Sequence, residues 1–339
     1  MPTRPFRTVE YARKTGFSLN TRINIMIRTE KLNKRFGKER GVFELNMQVD
    51  KRSIYGFIGP NGAGKTTTIK LLCGLLKPDG GKAYIDGIQV LPKNISAIKK
   101  KIGYMPDITG VYEQMSVWEF LDFYGAAFKL PPKKRKKRIE EVLEITNSSH
   151  MIDYQMTSLS RGMRQRIGLA KTLVHDPAIL ILDEPAGGLD PNARIEMRQT
   201  IGRLKELGKT ILLSSHILPE LASICDKVGI IYKGKLLVQG TVKEIGQQLQ
   251  ENLIINVTVD SGADYAKTFL ERIDGVENIN VLDQTQLKFM FNGTRNEISG
   301  IIKCLVRNDV PVRWFSENEA DLENVFMGIT GKEDASASS

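Results

Sequence analysis

Short apolar runs alternate with helical patterns from Ile27 to about Thr241. "RSIYGFI" (52–58), "AILILDE" (178–184), "KTILLSSH" (209–216) and "KVGIIY" (227–232) are apolar at successive positions, the pattern of strands buried on both faces. Between them lie "TTIKLLCGLL" (67–76) and "ARIEMRQTIGRLKELG" (193–208), which read as helices. Residues 116–150 and 158–175 read as wholly helical and as a subdomain set between strands. The alternation predicts a largely parallel sheet with helices on both faces.

After about residue 245 the period changes to two. In "NLIINVTV" Leu253, Ile255, Val257 and Val259 share one face. A helix "ADYAKTFLERI", strands "ENINVL" and "QLKFMF", a helix "NEISGIIKCLVRN" and a strand "VPVRWF" follow. That order predicts a small α+β domain of split βαβ type over 245–331. Residues 332–339 are too polar to pack and read as a disordered tail.

The chain of 339 residues can bury one large core or two ordinary ones. Its longest apolar runs fall well short of the roughly 18–20 residues that cross a bilayer. Cys73, Cys225 and Cys304 stand far apart with no CxxC spacing, which argues against a disulfide framework or zinc site and fits a reducing cytosol. A formal charge of +10 points to an anionic partner. Part of that charge comes from residues 1–25, where Arg4, Arg7, Arg13, Lys14 and Arg22 face only Glu10. This segment lacks the apolar core of a secretory signal and reads as a disordered leader before a strand that starts at Met26. The basic run "PPKKRKKR" (131–138) reads as a solvated helix start.

"GPNGAGKT" satisfies G-x-x-x-x-G-K-[ST] between a strand and a helix, the context this phosphate-binding loop requires. Gly59, Pro60, Asn61, Gly62, Ala63, Gly64, Lys65, Thr66 and Thr67 would wrap a nucleotide's phosphates with backbone N–H groups, aided by the positive end of the helix. Lys65 should reach the β- and γ-phosphates, and Thr66 should ligate Mg²⁺. Asp183 closes an apolar strand, as suits a residue that holds hydrated magnesium, and Glu184 beside it is placed to deprotonate an attacking water. His216 follows another apolar strand, at the end where such sheets expose their active residues, and could contact the γ-phosphate or position that water. Ser160 can cap the helix that begins in "LSRGMRQRIGLAKTL".

With these motifs in this order, the chain resembles the nucleotide-binding subunit of an ABC transporter. The loop at 59–66, "LSRGM", "ILILDEP", "GGLDP" and "SSHIL" carry the resemblance across roughly residues 26–241. It implies an α/β fold: a P-loop NTPase with a RecA-like core, a helical signature subdomain at about 107–175, and the small α+β domain behind it. It implies ATP and Mg²⁺ as ligands, with Phe36 stacking on adenine and Asp107 joining Thr66 and Asp183 at the metal. It also implies a head-to-tail homodimer in which Ser160 and Gly162 meet the γ-phosphate held by the other copy and Asp190 couples the two sites. Two departures stand out: "LSRGM" replaces the usual LSGGQ, and Asp107 stands where glutamine is common. The sandwich should survive, because Ser160 and the Gly162 backbone do the phosphate work.

These departures and the C-terminal domain, ending "FSENEADLENVFMGITG", resemble the ABC-2-type exporter branch, in which the permease is a separate membrane polypeptide. The expected place of work is the cytoplasmic face of the cell membrane. The segment 109–128 would face a permease helix, although its Tyr112, Trp118, Phe120 and Phe123 read individually more as core residues. The rival reading is a soluble ABC ATPase acting on nucleic acid or ribosomes. Such proteins resemble tandem cassettes or carry a long coiled coil, and no second P-loop or heptad stretch is present, so no nucleic acid partner is expected.

Overall fold

The computed structural model describes residues 25–37, 40–108, 110, 112, 114–216, 221, 223–245, 253–291 and 293–318. The expected tail and, apart from Ile25, the expected leader lie outside these residues, as does nearly all of the C-terminal "FSENEADLENVFMGITG" beyond Asn318. A six-stranded sheet forms from β4 (Ile54–Ile58), β7 (Ile102–Met105), β8 (Ile179–Leu182), β9 (Thr210–Ser215), β10 (Lys227–Tyr232) and β11 (Lys235–Gly240), in the order β11-β10-β4-β9-β8-β7. All neighbours are parallel except β10 and β11. The reason for the apolar runs is visible in β8. Ile179 and Ile181 pack into one core and Leu180 and Leu182 into another, so no position on the strand faces water.

The second of those cores is closed by helix α3 (Val117–Ala127), α4 (Pro132–Ile145), α5 (Arg161–Leu173) and α6 (Pro191–Glu206). The first is closed by α1 (Lys65–Leu72), α2 (Ile95–Lys101) and an antiparallel sheet of β1 (Ile25–Phe36), β2 (Arg40–Leu45), β3 (Gln48–Asp50), β5 (Gly80–Ile85) and β6 (Ile88–Gln89). The sequence reading missed this antiparallel sheet beyond its opening strand. The β5–β6 hairpin had a readable signal, the Asp86-Gly87 turn, in which both residues take the left-handed backbone (φ 47° and 76°). Buried Thr29 ties β1 to the end of β2 and the residues just after it: its hydroxyl donates to the Leu45 carbonyl at 2.9 Å and accepts from the Met47 N–H at 2.9 Å. Thr29→Val keeps the shape but orphans both backbone groups, and should cost about 1–3 kcal/mol. A lower urea midpoint at unchanged slope is the expected observation.

Two helix expectations need correction. Residues 116–150 are not wholly helical: α3 ends before Phe128, Lys129 takes a positive φ of 61°, and Pro131 caps a new start at Pro132. The proline rings lack an N–H and cannot continue the ladder of α3. The helix expected over 67–76 stops at Leu72, because Gly74 turns left-handed (φ 67°) and a Cβ there would stand 2.1 Å from Ile95 Cδ1. The missing side chain lets α2 pack against the end of α1.

After residue 252 come β12 (Leu253–Val259), α7 (Ala263–Leu270), β13 (Val276–Val281), β14 (Gln286–Phe291), α8 (Ile298–Arg307) and β15 (Val312–Asn318). The strands form an antiparallel sheet in the order β13-β14-β12-β15, the split βαβ arrangement. Its separate core joins Ile255, Val257, Leu287 and Phe289 to Ala266, Leu270, Ile301 and Leu305 from the two helices.

Candidate nucleotide site

Parallel strands put their C-terminal ends side by side, and each end here delivers one chemical group. β4 leads into the glycine loop, β7 into Asp107, β8 into Asp183 and Glu184, and β9 into His216. A cleft of about 610 Å³ opens there, lined by Phe36, Arg40, Pro60, Asn61, Gly62, Gly64, Lys65, Thr66, Thr67, Asp107 and Glu184 among others. Gly64 has φ 109°, a conformation that costs glycine little, and it turns the loop directly into α1. Ala63 is buried beneath the loop, while Phe36 is 47 % exposed at the cleft's rim.

The Lys65 side chain is only 6 % exposed. Its ammonium donates to the carbonyls of Gly59 (2.6 Å) and Pro60 (3.2 Å) and lies 3.2 Å from Glu184 Oε1. The last is an attraction of charges without hydrogen-bond geometry, since Glu184 Oε1 is buried and accepts no hydrogen bond. The other carboxylate oxygen, Oε2, lies 2.9 Å from His216 Nδ1. Buried Asp183 accepts from the Ser214 hydroxyl at 2.6 Å, and that same hydroxyl accepts from the Glu184 backbone N–H at 3.0 Å. One serine therefore orients both acids. Sequence reasoning did not single it out, although Ser214 and His216 alternate on one face at the end of β9.

Ser160, Gly162 and Asp190 lie outside the cleft. Ser160 caps α5 by accepting from the Met163 N–H at 3.3 Å, Asp190 caps α6 by accepting from the Ala193 N–H at 3.0 Å, and Gly162 packs close to Ala193 and Leu189. Within one chain Ser160 and Asp190 serve as helix N-caps, and Gly162 sits in the first turn of α5.

Three carboxylates share this end of the sheet, and partial burial together with the charges of Asp183 and Glu184 pushes the Asp107 carboxyl above its ordinary value. Arg161 and His216 pull it back, without cancelling the rise. A carboxyl whose folded pKa is raised stabilises the fold when protonated and penalises it once pH climbs through that pKa. Asp107→Asn in EDTA should therefore raise the melting temperature at pH 7, with the gain shrinking toward pH 4. A gain that is equal at both pH values would remove charge as the cause.

Among the described residues no group of three or more His, Cys, Asp or Glu is arranged to hold a metal alone. That suits magnesium, which keeps waters and takes ligands from substrate phosphates rather than from an all-protein cage. The hard oxygens of Thr66, Asp107 and Asp183, with the crowding of like charges that raises Asp107, fit such an ion.

The family model described as ABC transporter matches residues 42–187. The bacitracin transport ATP-binding protein BcrA of Bacillus licheniformis is 35% identical over 91% of this chain and 98% of its own length. The chain belongs to the ABC transporter ATP-binding proteins. This ABC protein is a P-loop ATPase, the ATP-binding subunit of an ABC transporter. The Nod factor export ATP-binding protein I of Ralstonia nicotianae is 29% identical over 91% of the chain and 94% of its own length. Among solved structures, cbiO1 from Clostridium perfringens, part of the ABC transporter complex cbiONQ, covers 67% of this ABC protein and 95% of cbiO1 at 28% identity, with a TM-score of 0.60.

Proposed function

We propose that the chain powers an exporter: it binds ATP with Mg²⁺, closes as a head-to-tail homodimer, and hydrolyses the nucleotide to drive a separate membrane permease. The observation that carries the chemistry is Glu184. Its backbone is fixed by Ser214, one oxygen is engaged by His216, and the other is buried, unsatisfied and 3.2 Å from Lys65. A buried acceptor without a donor is costly, and a water at the γ-phosphate supplies that donor.

In this reading Gly59–Thr67 cradle the phosphates, Lys65 neutralises charge on the transferred group, and Phe36 stacks on the base. Glu184 accepts the proton of the attacking water while His216 holds its far oxygen. Thr66, Asp107 and Asp183 would hold magnesium, which screens the phosphate charge. Ser160, Gly162 and Asp190, outside their own chain's cleft, would complete the site of the second copy. The division into an ATPase domain at 26–241 and an accessory domain at 245–331 is part of the same proposal.

Among the described residues no helix is long and apolar enough to cross a membrane; in this reading the permease is a separate chain. The Nod factor export protein supports an exporting one. Of the aromatic residues near α3, Phe120 is fully buried and Trp118 partly so. Tyr112 and Phe123 are exposed and meet edge to face at 5.4 Å, a surface suited to a permease helix at the cytoplasmic face of the membrane. Purifying the tagged chain from detergent-solubilised membranes tests this. A stoichiometric polytopic membrane protein is the expected companion, and recovery with ribosomes, RNA or DNA instead would sink the exporter reading.

A further inference from the structure

Arg161 opens α5, where a cation opposes the helix dipole. Its guanidinium leaves the helix end and donates to the Gly187 carbonyl at 2.9 Å. It lies flat over Gly188, where any Cβ would stand 2.4–2.6 Å from its atoms. One turn on, on the same face of α5, buried Gln165 donates from Nε2 to the Asp107 carbonyl at 3.2 Å. One face of the signature helix therefore grips two of the loops that carry the acids.

The loop held by Arg161 starts at Glu184. The Gly187 N–H donates to the Glu184 carbonyl at 2.9 Å, closing a tight turn, and Glu184 itself has φ 49°. A residue with a side chain holds that conformation only where its surroundings enforce it. Ser214 fixes the start of the turn, and Arg161 fixes its end.

We infer that Arg161 is a positioning residue for ATP hydrolysis: reaching from the signature helix, it clamps the Glu184–Gly187 turn and ties the aim of the Glu184 carboxylate to the seat of α5. The inference rests on Glu184 as the base. It makes the signature helix act within its own chain as well as toward the second copy, so displacement of α5 slackens the base of the same protomer.

The test uses the full chain with steady-state kinetics, ATP binding and ATP-dependent dimerisation. Arg161→Ala should lower kcat roughly 10- to 100-fold, the scale of a misaimed catalytic group, with KM for ATP within about threefold of the parent. Arg161→Lys, which keeps one donor for the Gly187 carbonyl, should recover part of the loss. In a Glu184→Gln background Arg161→Ala should lower the rate no further and should leave the ATP-bound dimer intact, because the arginine acts through Glu184. An unchanged kcat in Arg161→Ala, a kcat loss that tracks a fall in melting temperature without rescue by lysine, or a lost dimer in the double variant would each overturn the inference. The last outcome would mean that Arg161 works on the partner's nucleotide. Normal turnover in Glu184→Gln alone would instead remove the base reading beneath it.

Discussion

Glu184→Gln should nearly abolish ATP turnover, by about 10²–10⁴-fold, while the protein still binds ATP and accumulates as an ATP-stabilised dimer. The substitution keeps the size of the side chain and its contact with His216 at 2.9 Å, but it removes the proton acceptor. It also removes one of the negative charges crowding Asp107, so triphosphate meets less repulsion at the mouth of the cleft. The measurements are a phosphate-release assay and light scattering with and without ATP-Mg²⁺. Turnover at the parental rate would exclude Glu184 as the base, and a monomer in saturating ATP would remove the dimer from the mechanism.

Lys65→Ala should fail earlier, at binding. The ammonium is nearly buried and donates to the Gly59 and Pro60 carbonyls, so its loss removes a donor from each, leaves Pro60 with the Ala63 N–H alone, and leaves the Glu184 charge without the Lys65 cation beside it. A charge-assisted hydrogen bond to phosphate is worth about 1.5–3 kcal/mol, which predicts ATP affinity lower by about 10- to 100-fold. Turnover at saturating ATP should fall further, because charge grows on the transferred group in the transition state. Calorimetric titration separates the variants: Glu184→Gln keeps its ATP and Lys65→Ala loses most of it. Lys65→Arg should not rescue, because a planar guanidinium does not fit a pocket shaped around a compact ammonium. Wild-type affinity in Lys65→Ala would contradict the assignment.

Much of the fold was legible because burial leaves a strong mark on strands enclosed on both sides. Ile54–Ile58 and Ile179–Leu182 are apolar at every position but Gly56, and Thr210–Ser215 are polar only at its two ends, so their type and order could be read directly. The antiparallel sheet left a weaker mark, since β1 mixes buried Ile27 and Leu32 with exposed or half-exposed lysines and asparagine. The breaks in the helices depend on conformations at Gly74 and Lys129 that local composition understates.

The site divides in the same way. The glycine loop, the two acids after β8 and the histidine after β9 are local signals, because phosphate binding and strand-end chemistry need particular residues in short, fixed spacings. Ser214 bridging Asp183 and Glu184, Lys65 set against Glu184, and Arg161 laid over Gly188 involve partners far apart in the chain. No spacing encodes such contacts, because they arise only when the parallel strands align their ends and α5 packs across them. The sequence alone determined the strands buried on both faces, the order of the motifs and the chemical groups that follow them. Tertiary structure alone decided which oxygen of Glu184 stays free and which side chains hold it there, because hydrogen-bond geometry follows from packing in three dimensions rather than from order along the chain.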